Sequence, residues 1–467
     1  MLVMKFGGTS VGDANCFRKV KEIIANSQTA HSPVVVVVSA MSTITETLLE
    51  AARRAGAGDS PVVQEKVAYL ESKHLRAAEE LFSGSRRETA RKVVAEIAGE
   101  FRRICSGMEL LREIPPRAMD SALSVGERLS ATLLALYLEQ EGIPARAVDS
   151  AQCVVTDDNF SSARPLMEQT REATRRQLLP LIEKGVVPIV TGFLGATREG
   201  HRTTLGRGGS DYSGALMAAC LDADELWIWT DVDGVLSADP KLTSKAVFLS
   251  ELTYEEAAEL SHFGAKVLHH KTLAPLVSRR IPVWIKNSFA PEKAGTRIGP
   301  ARPEGARGPK AVTSLSPVTM LTLRSHGTPG TTELFSRTFA ALSHSKVDIL
   351  MVTQASYQDS FCFLVPKAMA ERAQTALEQA FRLELNHQYL EPAECQDVTA
   401  VALIGEGMRG IPGIAARLFG ALGREKINVI AIAQGASESN ISLVVSLEDR
   451  AAAVNAIHQE FIAPASR

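Results

Sequence analysis

The sequence predicts an α/β fold with a mostly parallel sheet and helices on both faces, followed by a duplicated α+β module. Short apolar runs alternate with helical patterns through about the first 290 residues, which is typical of parallel sheets. One of those runs contains five consecutive valines, and a strand that is apolar on both faces is expected to be buried inside such a sheet. Residues 323–366 resemble residues 403–446 at a constant offset of 80 residues, which indicates two copies of one small unit.

The elements follow in order from the apolar periodicity. The first strand is Leu2–Phe6, and the spacing of Phe17, Val20, Ile23 and Ile24 predicts a helix after it. Further strands are predicted over Pro33–Ser39, Ala145–Asp149, Val186–Thr191, Leu226–Thr230 and Val283–Lys286. Helices are predicted from about Thr45 and over Val62–Arg112, Val125–Gln140 and Ser213–Leu221. Ligands of such sheets bind at the carboxyl ends of the strands, so the loops Gly7–Ser10, Ser39–Thr45, Thr191–Gly195 and Asp231–Asp239 are expected to converge.

Composition narrows the class of protein. The 467 residues are 45% hydrophobic and 22% charged, with a net charge of −2, so we expect neither nucleic acid nor an anionic membrane as a partner. No apolar run approaches the roughly 18 residues of a membrane span, and the N-terminus MLVMKFGG lacks the pattern of a signal peptide. The six cysteines include no CxxC pair, which favours reduced thiols and a cytoplasmic location over a disulfide frame.

The segment TLGRGGSDYSGA, residues 204–215, lies between a predicted strand and a predicted helix. Its three glycines allow positive φ angles and let backbone N–H groups approach a ligand closely. Ser210 and Asp211 stand where the helix is expected to begin, and helix N-termini attract anions. Arg207 adds a planar fork suited to a carboxylate or phosphate. The pattern favours a site that brings two anionic groups together; the alternative is an ordinary glycine-rich turn.

Lys5 stands at the end of the first strand, directly before the glycine pair of the first loop. We interpret the lysine and the glycines as a phosphate clamp; the alternative is a strand-end lysine in solvent. The chain contains no GxxxxGK[ST] motif, which excludes a P-loop NTPase. The pair His269–His270 has no partner at ligand spacing, so we predict no protein metal centre. The GEGMRG run at 405–410 is explained by the internal repeat better than by a dinucleotide site.

Seven segments then occur in a fixed order: MKFGGTS (4–10), VVVSAMS (36–42), SVGERLS (124–130), TGFLG (191–195), TLGRGGSDYS (204–213), WTDVDGV (229–235) and FGAKVLHH (263–270). Together they resemble the aspartate kinases of the amino-acid kinase family. The duplicated unit resembles the tandem ACT domains of that family, so the resemblance covers essentially the whole chain. It implies a three-layer αβα amino-acid kinase fold with a mostly parallel sheet, followed by two α+β ACT domains of ferredoxin-like form.

The resemblance also implies domain boundaries and an activity. The catalytic domain is expected over residues 1–298, a linker over 299–317, and ACT domains over 318–390 and 396–467; residues 311–315 are a candidate first strand of the second ACT domain. The implied reaction transfers the γ-phosphate of ATP, with Mg²⁺, to the β-carboxylate of L-aspartate, the first step toward lysine, threonine, methionine and isoleucine. Two alternatives stay open: another acid kinase of the same fold, or a non-catalytic amino-acid sensor with a kinase-like fold.

The site residues implied by the resemblance fall into three groups. The catalytic group is Lys5, Asp211 and Lys266. The ATP-binding group is Lys5, Phe6, Gly7, Gly8, Thr230, Asp231, Leu236, Lys241, Lys266 and Val267, where Leu236 and Lys241 stand in place of the Tyr and Arg of many relatives. The aspartate-binding group is Ser39, Thr45, Glu127, Phe193, Arg207, Gly208, Gly209 and Ser210. Within it, Arg207 is expected to pair with a carboxylate of aspartate and Glu127 with its α-ammonium group.

The repeats are expected to bind an amino-acid effector, because ACT units pair side by side and hold small amino acids at the joint. The residues expected to do so are Asp348, Gln354, Asn428 and Gln434. The sequence segments around these residues most resemble those of threonine-responsive aspartate kinases, so threonine is favoured over lysine as the effector. A homodimer or higher homo-oligomer is expected to form through the ACT domains.

Overall fold

The computed structural model describes residues 1–264, 268–300, 308–326, 330–354 and 360–462. The chain forms two compact units. The first unit comprises Met1–Val235, Ser250–Tyr254 and Val267–Ala301, and the second comprises Leu236–Leu249, Glu255–Lys266 and Arg302–Arg467. Two segments before residue 298 therefore group with the carboxyl-terminal part of the chain and not with the first unit.

The strands of the described residues are, in chain order, β1 (Leu2–Phe6), β2 (Val34–Val38), β3 (Ala145–Val148), β4 (Val187–Thr191), β5 (Leu194–Ala196), β6 (Arg202–Thr204), β7 (Glu225–Thr230), β8 (Val235–Leu236), β9 (Phe248–Leu249), β10 (Glu251–Thr253), β11 (Val283–Asn287), β12 (Thr296–Gly299), β13 (Ala311–Arg324), β14 (Met351–Gln354), β15 (Ser360–Pro366), β16 (Glu394–Ile404), β17 (Ala431–Gln434) and β18 (Asn440–Val445). The helices are α1 (Ala14–Ala30), α2 (Ile44–Ala57), α3 (Ser60–Leu81), α4 (Gly84–Leu111), α5 (Pro116–Gln140), α6 (Met167–Glu183), α7 (Gly209–Leu221), α8 (Tyr254–His262), α9 (His270–Val277), α10 (Thr331–His344), α11 (Ala370–Ala380), α12 (Arg382–Asn386), α13 (Ile414–Arg424) and α14 (Arg450–Phe461).

The described strands of the first unit include an eight-stranded sheet in the order β10-β12-β11-β7-β1-β2-β4-β3. All neighbours pair in parallel except β11 and β12, which are antiparallel. The central strand β1 pairs with β2 and β7, and Lys5 stands opposite Val37 and Ile228. Parallel pairing on both sides buries both faces of these strands, which explains the run of valines in β2. The predicted α/β fold with a mostly parallel sheet is confirmed.

Both faces of the sheet carry helices. Met4 and Phe6 belong to the apolar cluster that includes residues of helices α1 to α5. Lys5 alternates with them on β1 and faces helix α7, where a Cβ on Gly214 would lie 3.2 Å from the Cβ of Lys5. This alternation follows from the two-residue period of a strand. It places the end of Lys5 on the side where α7 begins.

Helix α5 differs from its prediction. The apolar pattern predicts that it begins near Val125, but the helix begins at Pro116, with proline in its first turn. Proline is favoured there because a backbone N–H in the first turn has no acceptor within the helix, so proline, which lacks this N–H, loses no hydrogen bond. Glu127 therefore lies in the middle of a helix, and not in a first turn.

The described strands of the second unit include a six-stranded antiparallel sheet in the order β14-β15-β13-β16-β18-β17. Strand β13 is shared between the two repeats. Residues 311–315 and 318–322 pair with β16, which belongs to the second repeat, and residues 318–324 pair on the other side with β15 of the first. A register shift separates Leu315 from Val318. The predicted α+β form of the repeats is confirmed.

None of the helices in the described ranges is both long and apolar enough to cross a bilayer.

Candidate active site

A cleft of about 970 Å³ opens in the first unit at the carboxyl ends of its parallel strands. It is lined by three groups of residues from distant parts of the chain. Those from the amino-terminal strands and the following helix are Lys5, Gly7, Gly8, Thr9, Ser39–Thr43, Thr45, Glu46, Leu49 and Arg53. Those from α5 and the glycine-rich loop are Met119, Leu123, Glu127, Thr204 and Gly206–Asp211, and the rest are Ser161, Phe193, Thr230 and Asp231. Each of the four loops predicted to converge therefore contributes at least one lining residue, and the loop at 231–239 contributes Asp231 alone.

Lys5 and Asp211 form an ion pair at the floor of the cleft. The Lys5 Nζ lies 2.6 Å from Asp211 Oδ1, and the lysine is only 7% exposed. Asp211 is in the first turn of α7, as predicted, and Gly208 caps the helix with a φ of 72°. The pair holds the ammonium group of Lys5 beside the Gly7–Gly8 loop, where a Cβ on Gly7 would lie 3.6 Å from the Lys5 Nζ.

The loop at Ser39–Thr45 is tied to the Gly7–Gly8 loop by backbone hydrogen bonds. Ser39 N donates to Phe6 O at 3.1 Å, and Ser42 N donates to Gly8 O at 3.0 Å. Lys73, on α3, donates from its Nζ to Ser42 O at 2.5 Å and to the Thr43 hydroxyl at 3.2 Å. These contacts hold the expected phosphate and amino-acid loops against each other.

Glu127 is buried, with 3% of its surface exposed. No hydrogen-bond partner for its Oε2 is found in the described part of the chain. Burial raises the pKa of Glu127 from 4.5 to about 8, and backbone hydrogen bonds and the charge of Lys5 act in the opposite direction. A buried acceptor that lines a cleft without a partner is complementary to a cationic ligand group.

Phe193 and the glycine-rich loop meet closely. A Cβ on Gly209 would lie 2.6 Å from Phe193 Cδ2, so only glycine allows this contact. Phe193 has a φ of 70°, its N–H donates to the Ser213 hydroxyl at 2.9 Å, and its carbonyl accepts from Leu205 N at 2.9 Å. Arg207 is exposed on the same loop and lines the cleft.

Three of the predicted nucleotide residues that the structure describes are not among those that line the cleft: Phe6, Leu236 and Lys241. Phe6 is fully buried, its ring stacks on Trp229 with centroids 6.0 Å apart, and its carbonyl accepts from Ser39 N. Leu236 and Lys241 belong to the second unit and do not line the cleft. Lys266 and Val267 lie outside the described residues.

Sequence reasoning missed Asp120, a fully buried carboxylate on α5. It accepts hydrogen bonds from Ser161 and Thr204, which both line the cleft. Burial raises the pKa of Asp120, while the hydrogen bonds from Ser161 and Thr204 oppose that rise. The available signal was its spacing of seven residues from Glu127, which is two turns of one helix, but the helix was predicted to begin after it.

The predicted effector residues lie in the second unit. Gln354 and Gln434 end strands β14 and β17, and Asp348 and Asn428 are exposed shortly before those strands. The hydroxyl of Thr353 on β14 donates to the carbonyl of Ile432 on β17 at 2.9 Å. The two strands at the ends of the sheet order therefore contact each other.

Comparisons with known proteins agree with this architecture. The model of the amino acid kinase family matches residues 1–287, and an ACT domain model matches residues 321–381 and 401–461. The chain is similar to the bifunctional aspartokinase/homoserine dehydrogenase of Haemophilus influenzae, with 35% identity over 98% of this chain and 56% of that protein. It is similar to the chloroplastic aspartokinase 1 of Arabidopsis thaliana, with 32% identity over 98% of this chain and 80% of that one.

Among solved structures, the chain is similar to Escherichia coli aspartokinase III in complex with aspartate and ADP, in the R-state. The TM-score is 0.85 with 29% identity, covering 98% of this chain and 99% of the other. The T-state of that enzyme, in complex with lysine and aspartate, gives a TM-score of 0.78 with 30% identity, covering 99% of each chain. The chain spans about half the length of the bifunctional relatives that it matches. On the family model and the 32% identical aspartokinase, the chain belongs to the amino acid kinase family and carries two ACT domains in tandem.

Proposed function

We propose that this chain is an aspartate kinase, which transfers the γ-phosphate of ATP to the β-carboxylate of L-aspartate and forms 4-phospho-L-aspartate. One observation carries the proposal: a single cleft holds the ion pair of the buried Lys5 with Asp211 and, separately, the buried carboxyl group of Glu127, whose Oε2 has no hydrogen-bond partner among the described residues. The first fits a phosphate chain and the second fits an α-ammonium group. The relatives named aspartokinase, and the solved complex with aspartate and ADP, support the same assignment.

The chemistry demanded of the protein is positioning and neutralisation of charge. The attacking carboxylate is ionised at neutral pH, so the reaction needs no general base. Two anions must nevertheless meet, and phosphoryl transfer spreads negative charge over the moving group. Lys5 and the N–H groups of the Gly7–Gly8 loop would hold the phosphates, and Arg207 would hold the carboxylate of aspartate that does not react. Glu127 would fix the α-ammonium group, leaving the β-carboxylate directed at the phosphate.

Magnesium fits this arrangement as a partner of the nucleotide. In the described part of the chain, no cluster of three or more His, Cys, Asp or Glu side chains forms a metal site. Mg²⁺ in kinases is commonly held by substrate phosphates and one or two carboxylates, and Asp211 and Asp231 line the cleft. When bound, Mg²⁺ would neutralise charge on the phosphates. We propose that Asp211 also orients Lys5, with Lys266 as a second nucleotide lysine.

An assay of ADP release with aspartate, with glutamate and without an acceptor tests the activity. We expect turnover with aspartate only, and hydroxylamine should trap the acyl phosphate as a hydroxamate. Turnover with another acid alone would favour a different kinase of the same fold. No turnover with any acceptor, together with saturable aspartate binding, would favour a non-catalytic sensor.

We further propose that an amino acid binds at β14 and β17 and inhibits the kinase, with threonine favoured over lysine, and that the ACT domains mediate homo-oligomerisation. The contact between these two strands supports a joint site for Asp348, Gln354, Asn428 and Gln434. Calorimetric titration with each amino acid, beside turnover with threonine, lysine and both, tests the regulation. The proposed regulation would be rejected if neither threonine nor lysine gave saturable heat. Light scattering at several concentrations tests the oligomer.

A further inference from the structure

Asp120 collects four hydrogen bonds from two parts of the cleft wall. Its Oδ2 accepts from the backbone N–H of Ser161 at 2.8 Å and of Thr204 at 2.9 Å. Its Oδ1 accepts from the hydroxyls of the same two residues, at 3.2 Å and 2.9 Å. Each carboxylate oxygen thus receives one donor from each residue, and the side chain is fully buried. This is the full acceptor pattern of an ionised carboxylate.

Ser161 requires such support because its backbone has a φ of 69°. A residue other than glycine in this left-handed region costs about 1 kcal/mol or more, and it persists where its surroundings fix it. Asp120 binds both the N–H and the hydroxyl of this one residue. The carboxylate therefore holds the turn in its strained conformation.

The turn at Ser161 in turn supports the loop that carries Arg207. A Cβ on Gly206 would lie 3.3 Å from Ser161 O, and Gly206 has a φ of 75°. Thr204, the other partner of Asp120, ends strand β6 three residues before Arg207. Asp120 thus fixes the start of the loop directly through Thr204, and it fixes Gly206 through Ser161.

The same helix carries Glu127, seven residues and about two turns after Asp120. Both residues lie on one face of α5, separated by about 10 Å along its axis. One rigid element therefore presents Glu127 to the cleft and anchors the loop of Arg207. In the proposed function these two groups hold the α-carboxylate and the α-ammonium group, so their placement sets how far the side-chain carboxylate reaches toward the phosphate site. Aspartate and glutamate differ in that reach by one methylene group.

We propose that Asp120 is a positioning residue that fixes Arg207 relative to Glu127. It thereby fixes the α-carbon end of the substrate at one distance from the phosphate site, which suits the side chain of aspartate and not the longer one of glutamate. This inference rests on the proposed aspartate kinase activity. Asp120 itself contacts neither substrate nor nucleotide in this scheme. It acts through the loop, so its loss should affect the amino-acid substrate far more than ATP.

Two substitutions in the full chain test the inference. Asp120→Asn keeps an oxygen for the two N–H groups, and its amide can donate to the two hydroxyls, so we expect the KM for aspartate to rise only about threefold to tenfold. Asp120→Ala removes all four bonds, and we expect a rise of at least 30-fold, with the ratio of kcat/KM for aspartate to that for glutamate falling about tenfold. The KM for ATP should stay within about twofold in both variants. Calorimetric titration with aspartate should show the same graded loss of affinity without turnover.

Thr174→Val is the matched control, because it removes a buried hydroxyl that bonds Cys153 O at 3.2 Å and does not line the cleft. It should lower stability and leave both KM values unchanged. Equal losses for ATP and aspartate, an unaltered preference between the acids, or the same KM change in Thr174→Val would overturn the inference. If Asp120→Ala does not fold, Asp120→Asn decides, since a wild-type KM there would also overturn it. A wild-type protein that does not use aspartate would instead reject the proposed function.

Discussion

Replacing Glu127 with glutamine should stabilise the protein without ligand while impairing its use of aspartate. The pKa of Glu127 is raised from 4.5 to about 8 because the carboxyl is buried. Between these values the folded state keeps a proton that the unfolded state releases, so stability falls as pH rises from about 4.5 to about 8. A pH of 7 lies about 2.5 units above the ordinary pKa of 4.5, so at this pH the burial of Glu127 lowers the free energy of unfolding by about 3 kcal/mol, at about 1.4 kcal/mol per unit.

Glutamine has nearly the same shape and carries no charge, so Glu127→Gln removes this penalty. Its amide lacks an acceptor in the free cleft, which costs about 1 kcal/mol. The net gain should be near zero at pH 5.5, about 2 kcal/mol at pH 7 and larger at pH 8. The KM for aspartate should rise about 10-fold to 100-fold, because a hydrogen bond to a charged group contributes about 1.5–3 kcal/mol. The KM for ATP should change little.

Urea unfolding at three pH values measures the gain in stability. All three tryptophans of the chain, Trp227, Trp229 and Trp284, lie in the first unit, so their fluorescence follows that unit. Glu139→Gln is the control, because Glu139 is a surface residue of the same helix and its replacement should give no pH-dependent gain. A stability difference that does not grow with pH, or a variant less stable than wild type at pH 8, would refute the reasoning.

Three further substitutions probe the cleft. Lys5→Met keeps the apolar stem but removes the fixed charge, so kcat should fall about 10²–10³-fold in the ADP-release assay; a loss confined to the KM for ATP would contradict the assigned role. Arg207→Lys should raise the KM for aspartate about tenfold, since an ammonium cannot bind a carboxylate in bidentate fashion, and an unchanged KM would remove Arg207 from the site. Gly209→Ala places a methyl group against the ring of Phe193 and should lower both kcat/KM for aspartate and the melting temperature. Gly107→Ala is the control, because no atom lies within 4 Å of the added Cβ, and it should stabilise its helix by about 0.5–1 kcal/mol. The steric argument would be refuted if the two alanine variants behaved alike.

Much of the fold could be predicted because its signals are local. The run of valines in β2 and the Gly7–Gly8 loop after β1 are read from neighbouring residues, and parallel topology then brings the strand ends together. The position of Asp211 in the first turn of α7 could likewise be predicted, because Gly208 and Gly209 come shortly before it and mark the start of the helix.

The sequence could not reveal contacts that depend on distant partners. Asp120 resembles an ordinary helical aspartate until Ser161 and Thr204, 41 and 84 residues later, are seen to bind it. The start of α5 was misplaced because residues 116–123 show weaker apolar periodicity than those after them. The grouping of Leu236–Leu249 with the second unit depends on tertiary packing that no local pattern records.

Strand β13 has a consequence for dissecting this protein. The repeated sequence suggests two separable modules, yet one uninterrupted backbone segment completes the sheet of both. A fragment cut at residue 321, where the first ACT match begins, would leave the amino half of β13 behind and uncover the edge of β16. Exposed strand edges promote aggregation. The segment that repeats in the sequence is therefore shorter than the segment that must be kept together to complete the sheet.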